Sequence, residues 1–254
     1  MENIAFVYSK QDEAGKNIAK QVVDIGIPDW ARMYSFDDIT VNLPLDNIEE
    51  NDIIVLSKHK SAAATKSLTT HSIGNFSAAE KHGGEDKKLV GSLPGIQTNF
   101  LRGLAKRNKN EEYTVCFEVT HHGPFAEKNV CFIELGSTEK EWNNEEEALV
   151  IAQTVVEDTV KVNNDLIVIG IGGGHYAPDF TKLSLRQDYS FSHICPQYAL
   201  EALDSDLLKQ MIEKSGAEEI IIDWKGLKSW KEKVVSLCEE SGLPFERVQR
   251  LLKN

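Results

Sequence analysis

Several short stretches of this sequence combine histidine with carboxylate, hydroxyl or glycine, the residue types from which hydrolytic and metal sites are built. Six of the seven histidines lie in such stretches: His59, His71, His82, His121, His122 and His175. Neutral imidazole and carboxylate are the usual ligands of catalytic zinc, so these histidines together with Glu118 and Glu134 favour a metal site. A single histidine is more often a satisfied core or surface residue, so the prediction requires the stretches to converge.

The stretch EVTHHGP, residues 118 to 124, closes an apolar run with this chemistry. In a regular strand, Glu118 and His122 would point to one side and His121 to the other. Both histidines can share one site only if the backbone turns at Gly123-Pro124. A buried strand tolerates such residues when they are paired or coordinated, so the stretch is either a site or a costly arrangement.

The glycine-rich stretch GIGGGHY, residues 170 to 176, follows another apolar run and invites a nucleotide-binding interpretation. The glycines lead into His175 rather than into a helix start, which weakens that interpretation because a helix N-terminus normally binds the phosphate. We instead expect the backbone amides of Gly172, Gly173 and Gly174 to approach a substrate or an oxyanion.

Apolar runs typical of buried strands alternate along the chain with segments of helical periodicity. The clearest helix is NNEEEALVIAQTVVEDTVKV, which begins with an asparagine cap and acidic residues. YTVCFEVTHH and NVCFIELG are predicted to be strands joined by a short turn, and PFERVQRLL a terminal helix that begins at Pro244. The alternation predicts an α/β fold, a mixed and mainly parallel sheet sandwiched between helices, in a single domain over residues 1–254.

Polar stretches follow several of these predicted strands. In an open parallel sheet the carboxyl ends of the strands line one crevice, which is where ligands usually bind. We therefore expect five stretches to form one pocket: SKHKS, TTHSIGNF, EVTHHGP, ELGSTEKEW and GGGHYAP. No nucleophile elbow surrounds Ser57, Ser61 or Thr69, and no Cys-His signature appears, so an activated water is preferred to covalent catalysis.

Charge is distributed unevenly along the chain. The net charge is -12, yet residues 57–109 contain ten Lys or Arg and three acidic residues, a net charge of +7. The other residues, with 18 basic and 37 acidic side chains, carry -19. A basic face on an acidic body suits a polyanionic partner, and a solvated lysine-rich region is the simpler alternative.

The cysteine spacing and the hydropathy of the chain indicate the cellular compartment in which the protein is expected. The four cysteines are widely spaced and none falls in a CxxC pair, which predicts buried thiols rather than a disulfide framework or zinc knuckle. No run approaches the roughly 18 apolar residues of a membrane span, and the first residues lack the pattern of a signal peptide. We expect a cytoplasmic protein with no membrane partner.

The ordered stretches SKHKS, LTTHSIGNF, EVTHHGPF, ELGSTEKEW and GIGGGHYAP resemble the motifs of the archaeal and plant type of D-aminoacyl-tRNA deacylase. The resemblance runs from Ile4 to the C-terminus. It implies hydrolysis of the ester between a D-amino acid and the terminal ribose of tRNA, zinc dependence, a monomer, and a phosphorylase/hydrolase-like fold similar to that of peptidyl-tRNA hydrolase. Two departures are the short segment FAEKNV and Asp179, which stands where a basic residue is expected and would weaken a phosphate contact.

Carried onto this sequence, the resemblance implies residue roles. Catalytic residues are expected to be His59, His71, Glu118, His122 and His175. Metal ligands are expected to be His121, His122, Glu134 and His175. Phosphates of the acceptor stem are expected to contact Lys58, Lys60, Lys66, Arg102, Lys106 and Arg107.

The mechanistic hypothesis is that Zn²⁺ lowers the pKa of a bound water from about 15.7 towards about 7 and polarises the ester carbonyl. Glu118 or Glu134 would pair with the ammonium group of the amino acid. A metal-free site with histidine as general base stays open. So do two other functions, a zinc aminopeptidase or amidohydrolase of similar fold and a non-catalytic tRNA-binding protein.

Overall fold

The structure is a computed structural model that describes residues 3–79 and 82–253. Its strands are β1 Ile4–Ser9, β2 Ala31–Phe36, β3 Asp52–Lys60, β4 Ser67–His71, β5 Thr114–Phe117, β6 Asn129–Ser137, β7 Leu166–Ile171, β8 Tyr189–Cys195, β9 Glu219–Ile222 and β10 Phe245–Arg247. Its helices are α1 Glu13–Ile25, α2 Pro94–Arg107, α3 Glu139–Trp142, α4 Glu145–Asp158, α5 Pro178–Arg186, α6 Ser205–Glu213, α7 Lys231–Ser241 and α8 Val248–Leu251.

The strands form two sheets rather than one. A six-stranded sheet has the order β2-β1-β3-β6-β4-β5, and a four-stranded sheet has the order β10-β9-β7-β8. Every neighbouring pair is parallel except β4 and β6, which are antiparallel. Helices α1 and α4 pack on the larger sheet, while α2 contacts both β4 and β8 and so lies between the sheets. The predicted class, mixed and mainly parallel sheet flanked by helices, is confirmed, and the division into two sheets was not anticipated.

Two predicted connections are wrong. β5 and β6 are not neighbours joined by a short turn, because β4 lies between them in the sheet. The segment after Pro244 does not begin a helix directly: Phe245–Arg247 forms strand β10, which pairs in parallel with β9. The carbonyl of Pro244 accepts from the amide of Ile220 at 3.0 Å, so pairing with an existing strand holds these residues extended.

Two long helices pack on the larger sheet, and the helix predicted from NNEEEALVIAQTVVEDTVKV is confirmed as α4. Helix α1 begins at the cap residue Asp12, whose carboxylate accepts from the amide of Gly15. Asn144 caps α4 in the same way. Gly15 is required by close packing, because a Cβ there would lie 2.6 Å from the carbonyl oxygen of Leu56. Helix α1 therefore rests directly on β3, the strand that carries the first histidine of the site.

All four cysteines, at positions 116, 131, 195 and 238, are buried free thiols, as predicted. Burial raises the pKa of the Cys116 thiol well above its usual range, which keeps it protonated and unreactive. Across residues 3–79 and 82–253, no helix combines the length and the apolar character needed to cross a membrane.

Candidate active site

The candidate active site lies where the two sheets meet. Strands β3 and β6 run parallel, and β4 runs against β6, which brings the side chains of His59, His71 and Glu134 to one region. The four-stranded sheet contributes His175, in the loop between β7 and α5. The predicted convergence of the polar stretches is therefore confirmed for these elements.

Residues 118–122 connect the sheets. The amide of Val119 donates to the carbonyl of His175 at 2.9 Å, and the amide of Thr120 donates to the carbonyl of Ile194 in β8 at 2.9 Å. On the other side, His121 forms an isolated parallel bridge with Ile73, just beyond β4. These bonds hold the segment across the junction, so its side chains face residues from both sheets.

The backbone turns at the end of this segment, as the sequence predicted. His122 has a φ of 46°, a left-handed conformation that is uncommon for residues other than glycine. Its Nδ1 donates to the carbonyl of Gly123 at 2.6 Å, which compensates part of the conformational cost. As a result the rings of His121 and His122 lie 4.4 Å apart and share one site.

Glu118 is the buried centre of one half of the site. Its Oε1 lies 3.0 Å from His59 Nδ1, and its Oε2 lies 2.9 Å from His175 Nε2 and 3.6 Å from His121 Nε2. Neither oxygen receives an aligned hydrogen bond among the described residues, so these are ion-pair contacts with imperfect directions. Burial raises the pKa of Glu118, but His175 and His59 outweigh it and hold that pKa well below the usual range.

Glu134 faces His59 and His71, with its Oε2 3.6 Å from His59 Nδ1 and 3.7 Å from His71 Nε2. Burial raises the pKa of Glu134, but the two imidazoles lower it to about 2. Burial lowers the pKa of His59, yet the contacts with Glu118 and Glu134 prevail and raise it to about 11. Both carboxylates are buried and in contact with imidazoles, and their role as partners of a substrate ammonium group stays a prediction.

Three histidines share a different arrangement. The Nδ1 atoms of His71, His121 and His122 donate to backbone carbonyls, those of Ser72, Val119 and Gly123, at 3.1, 2.8 and 2.6 Å. These contacts assign a proton to Nδ1 in each ring, so the Nε2 of a neutral ring keeps a free lone pair. Burial lowers the pKa of His71, but its contact with Glu134 outweighs burial and raises that pKa, so His71 has to lose a proton before its Nε2 can bind a metal. Histidines that bind metals are oriented in this way by a carbonyl on the other nitrogen.

The donor set of these three histidines fits a zinc ion. One ligand nitrogen from each of His71, His121 and His122 lies within 4.8 Å of the others. The Nε2 of His71 is fully buried and has no hydrogen-bond partner among the described residues. Burial of such a polar atom lowers the stability of the fold unless the atom interacts with a charged group or a cation. Burial and the neighbouring imidazoles lower the pKa of His121 well below its usual range, and that of His122 to about 4, so both are neutral ligands at pH 7.

Comparison with known proteins identifies the family of this chain. A family model described as D-aminoacyl-tRNA deacylase matches residues 47–246. The chain belongs to this family. The D-aminoacyl-tRNA deacylase of Methanocaldococcus jannaschii is 36% identical over 95% of this chain and 98% of its own length, and that of Picrophilus torridus is 33% identical over 88% and 91%.

A solved structure supports the fold independently. The crystal structure of a conserved protein of unknown function has a TM-score of 0.93 and 28% identity, covering 100% of this chain and 98% of its own. The family resemblance predicted from the sequence is confirmed, and with it the prediction of an enzyme, an ester hydrolase.

The metal ligands predicted from the family do not form one group. His121 and His122 fall with His71, whereas His175 falls with His59 and Glu118. Glu134 belongs to a third group, with His71 and Glu118. His82 is exposed and lines a nearby hollow without joining any of these groups. The sequence therefore identified the residues of the cluster but could not divide them.

Tyr176 was not predicted from the sequence as a site residue. Its hydroxyl lies 3.1 Å from His59 Nε2, and its ring centroid lies 5.3 Å from that of His175. The available signal was its place directly after His175 in GGGHYAP. Trp142 also contributes, because its Nε1 donates to the carbonyl of His59 at 2.9 Å and fixes the end of β3.

The glycine stretch provides fewer free amides than predicted. The amide of Gly172 donates to the carbonyl of Cys195 at 2.8 Å and is not available to an oxyanion. Gly173 packs against Gly226, where a Cβ would lie 2.6 Å from the Gly173 nitrogen. Gly174 is the remaining candidate. The glycines lead into His175 rather than directly into a helix, as predicted, and α5 begins at Pro178.

The predicted tRNA-binding residues divide into two sets. Lys60 and Lys106 are exposed, and neither forms an ion pair within the described ranges. Lys58 lies over the ring of Trp142, and Lys66 pairs with Glu112.

Arg102 and Arg107 belong to the internal structure. Arg102 donates to the carbonyls of Ser184 and Gln187 and pairs with Asp165 at 2.8 Å. Arg107 pairs with Asp158 at 2.5 Å. Because both guanidinium groups already have partners, their predicted role in phosphate binding is not supported.

Proposed function

We propose that this protein hydrolyses the ester bond of D-aminoacyl-tRNA in the cytoplasm and releases the free D-amino acid and tRNA. The observation that carries the proposal is a buried cluster of five histidines and two glutamates at the junction of two sheets, in a chain of the D-aminoacyl-tRNA deacylase family. Such a cluster can bind a cation, hold a proton and exclude bulk water, which are the requirements of ester hydrolysis.

The residues that would hold zinc are His71, His121 and His122, through their Nε2 atoms. His121 and His122 present free lone pairs, and His71 presents a third once its Nε2 proton is lost. Three protein ligands with an open position are typical of catalytic zinc. When bound, zinc supplies a Lewis acid for the ester carbonyl and acidifies a coordinated water. Ligand atoms of His59, Glu118 and His175 also lie close together, but Glu118 and Glu134 keep His59 protonated, so these three residues are assigned to proton transfer.

Proton transfer is assigned to the half of the cluster around Glu118. The carboxylate orients His175, the most exposed of these histidines at 37%, and stabilises its imidazolium form. His175 accepts the proton of the attacking water and returns it to the ribose oxygen when the ester C–O bond breaks. His59, which two carboxylates keep protonated, stabilises the negative charge that develops nearby.

The first experiment is deacylation of D-Tyr-tRNA and L-Tyr-tRNA by the purified protein, before and after chelator treatment and after zinc is restored. We expect selective release of the D-amino acid that chelation abolishes and zinc recovers. Turnover that survives thorough metal removal would leave histidine as general base without zinc. Release from neither substrate would favour a peptidase or a non-catalytic RNA-binding protein.

RNA dependence is tested with the exposed lysines. Charge reversal of Lys60 and Lys106 should raise the KM for tRNA and weaken its salt dependence, because each phosphate contact contributes to counterion release. Hydrolysis of a small D-aminoacyl ester by the same variant should be unchanged. Arg107→Lys is a matched comparison, since its side chain serves an internal ion pair and its replacement should affect stability rather than KM.

A further inference from the structure

A small hollow opens beside the histidines with free Nε2 atoms. Thr120, His121 and His122 line one side of it, and its volume is about 160 Å³. Phe76 and Tyr198 are among the residues that line the other side. A cavity of about 150 Å³ holds a single benzene-sized ring. The hollow therefore admits one small group, such as an amino-acid side chain, but not an amino acid and a nucleoside together.

Tyr198 stands on the rim of this hollow, with its side chain directed to solvent. It is 66% exposed and lies in the short 3-10 turn Gln197–Ala199. Among the described residues, the other exposed large aromatic side chain is Phe245, which lines a separate hollow beside β10. Within the part of the chain that the structure describes, Tyr198 is therefore the exposed aromatic side chain that lies near the histidines.

The turn that carries Tyr198 is attached to the catalytic loop. The amide of Gln197 donates to the carbonyl of Gly173 at 3.0 Å, two residues before His175. The amide of Gly172 donates to the carbonyl of Cys195 on the same connection. These two hydrogen bonds join the turn of Tyr198 to the loop of His175. A group that stacks on the ring of Tyr198 is therefore held at a fixed distance from His175.

We propose that Tyr198 is the stacking platform for the terminal adenine of the tRNA substrate. This inference rests on the proposed function, because the scissile ester joins the amino acid to the ribose of that adenosine. With the hollow large enough only for the amino-acid part, the base stays outside, within reach of the rim. Aromatic side chains bind single-stranded bases by such stacking, without reading sequence.

The test compares two esters that differ by the base alone. One is the 3′ ester of a D-amino acid with adenosine, and the other is the same ester with 1-O-methylribose. Tyr198→Ala should lower kcat/KM on the adenosine ester roughly 10- to 100-fold, mostly through KM, and bring it close to the value for the riboside. The riboside itself should be hydrolysed by the variant as by the wild type.

Two controls accompany this comparison. Tyr198→Phe keeps the ring and should restore the adenosine preference, while Phe245→Ala removes the other exposed aromatic ring and should change neither ester. An equal loss on both esters would overturn the proposal, since Tyr198 would then contact the amino acid or support the fold. Unchanged rates on both would overturn it as well.

The failure of this inference is distinguishable from failure of the proposed function. If the wild type releases no amino acid from D-aminoacyl-tRNA, the function itself is wrong. If it cleaves the tRNA but binds the small esters too weakly, the KM for D-aminoacyl-tRNA decides. The KM for D-aminoacyl-tRNA must be higher in Tyr198→Ala than in the wild type, and unchanged in Tyr198→Phe. A Tyr198→Ala variant with the KM of the wild type would refute the stacking role.

Discussion

Two halves of one histidine cluster differ in what holds each imidazole. His59 and His175 face carboxylates, whereas His121 and His122 donate to backbone carbonyls and face one another. Burial lowers the pKa in both halves, yet that of His59 is raised to about 11 and that of His122 is lowered to about 4. Hydrogen-bond and charge partners, rather than burial, therefore decide which imidazole carries a proton.

This difference separates two chemical tasks in a small volume. His59, which Glu118 and Glu134 keep protonated, can hold a proton, and it cannot ligate a cation without losing that proton. Neutral imidazoles with free lone pairs can ligate a cation, and they are poor proton donors at pH 7. Replacing individual partners should disturb one task more than the other.

The largest effect is expected from Glu118→Gln. This change keeps the shape but removes the charge that three imidazoles face, so kcat/KM for D-aminoacyl-tRNA should fall by about 10³-fold or more. Steady-state deacylation measures it. Glu147→Gln is the matched control, because Glu147 is also buried but lies in α4, and its kcat/KM should stay near wild type. A Glu118→Gln variant as active as this control would remove Glu118 from the mechanism.

The second effect concerns metal affinity. His122→Asn removes one of the three candidate ligands, so the affinity for zinc should fall by more than the roughly 10- to 100-fold that loss of an outer-shell partner costs. Calorimetric titration of zinc into chelator-treated protein measures this. His82→Gln, a histidine outside the cluster, should bind zinc as the wild type does. Equal affinities in all three proteins would place the metal elsewhere.

A third, smaller effect should follow from Tyr176→Phe. The hydroxyl lies 3.1 Å from the Nε2 of His59, and loss of one hydrogen bond to a charged group corresponds to roughly a 10-fold lower kcat. KM should change little, because the contact lies within the enzyme. Single-turnover rates across the pH range will show whether the slow step retains its dependence on His59. A change confined to KM would instead place Tyr176 on the substrate.

The smallest effect is on stability and comes from His193, a neutral buried histidine outside the cluster. Burial lowers its pKa to about 4, against the smaller opposing effect of its contact with the carbonyl of Val90. The unfolded chain takes up this proton below about pH 6.5, so the stabilisation is complete above pH 6.5 and is lost as the pH falls towards 4. The loss amounts to roughly 3 kcal/mol for a fully buried group.

His193→Gln should flatten this pH dependence. Denaturant unfolding of both proteins at several pH values between 4 and 7 gives the difference between their free energies of unfolding. That difference should shrink at low pH, because only the wild type loses the contribution of His193 there. Parallel curves would show that this histidine is not neutral in the folded protein.

The sequence predicted the members of the cluster better than their arrangement. His71, His121 and His175 stand beside glycine, threonine or a second histidine at strand ends, and such composition is visible without a structure. Their division depends on which nitrogen meets a backbone carbonyl, a detail that only tertiary packing sets. The same limit explains Arg102 and Arg107, whose partners lie more than 50 positions away along the chain.

The connectivity of the larger sheet was hidden for a related reason. Strand β4, with the sequence SLTTH, is fully buried but mostly polar, so hydropathy does not indicate a strand. Among its hydroxyls, that of Thr70 has an internal partner, because it donates to the carbonyl of Phe132 at 2.7 Å. Without β4, the apolar runs of β5 and β6 look like a hairpin.

The segment that spans the two sheets also has a consequence for synthesis. Val119 and Thr120 bond to residues 175 and 194, and the four-stranded sheet is complete only when β10, at Phe245–Arg247, has been added. A nascent chain of about 160 residues already contains five of the seven histidines but lacks His175 and the carbonyls that hold the segment in place. Deacylase activity should therefore appear only after β10 has left the ribosome.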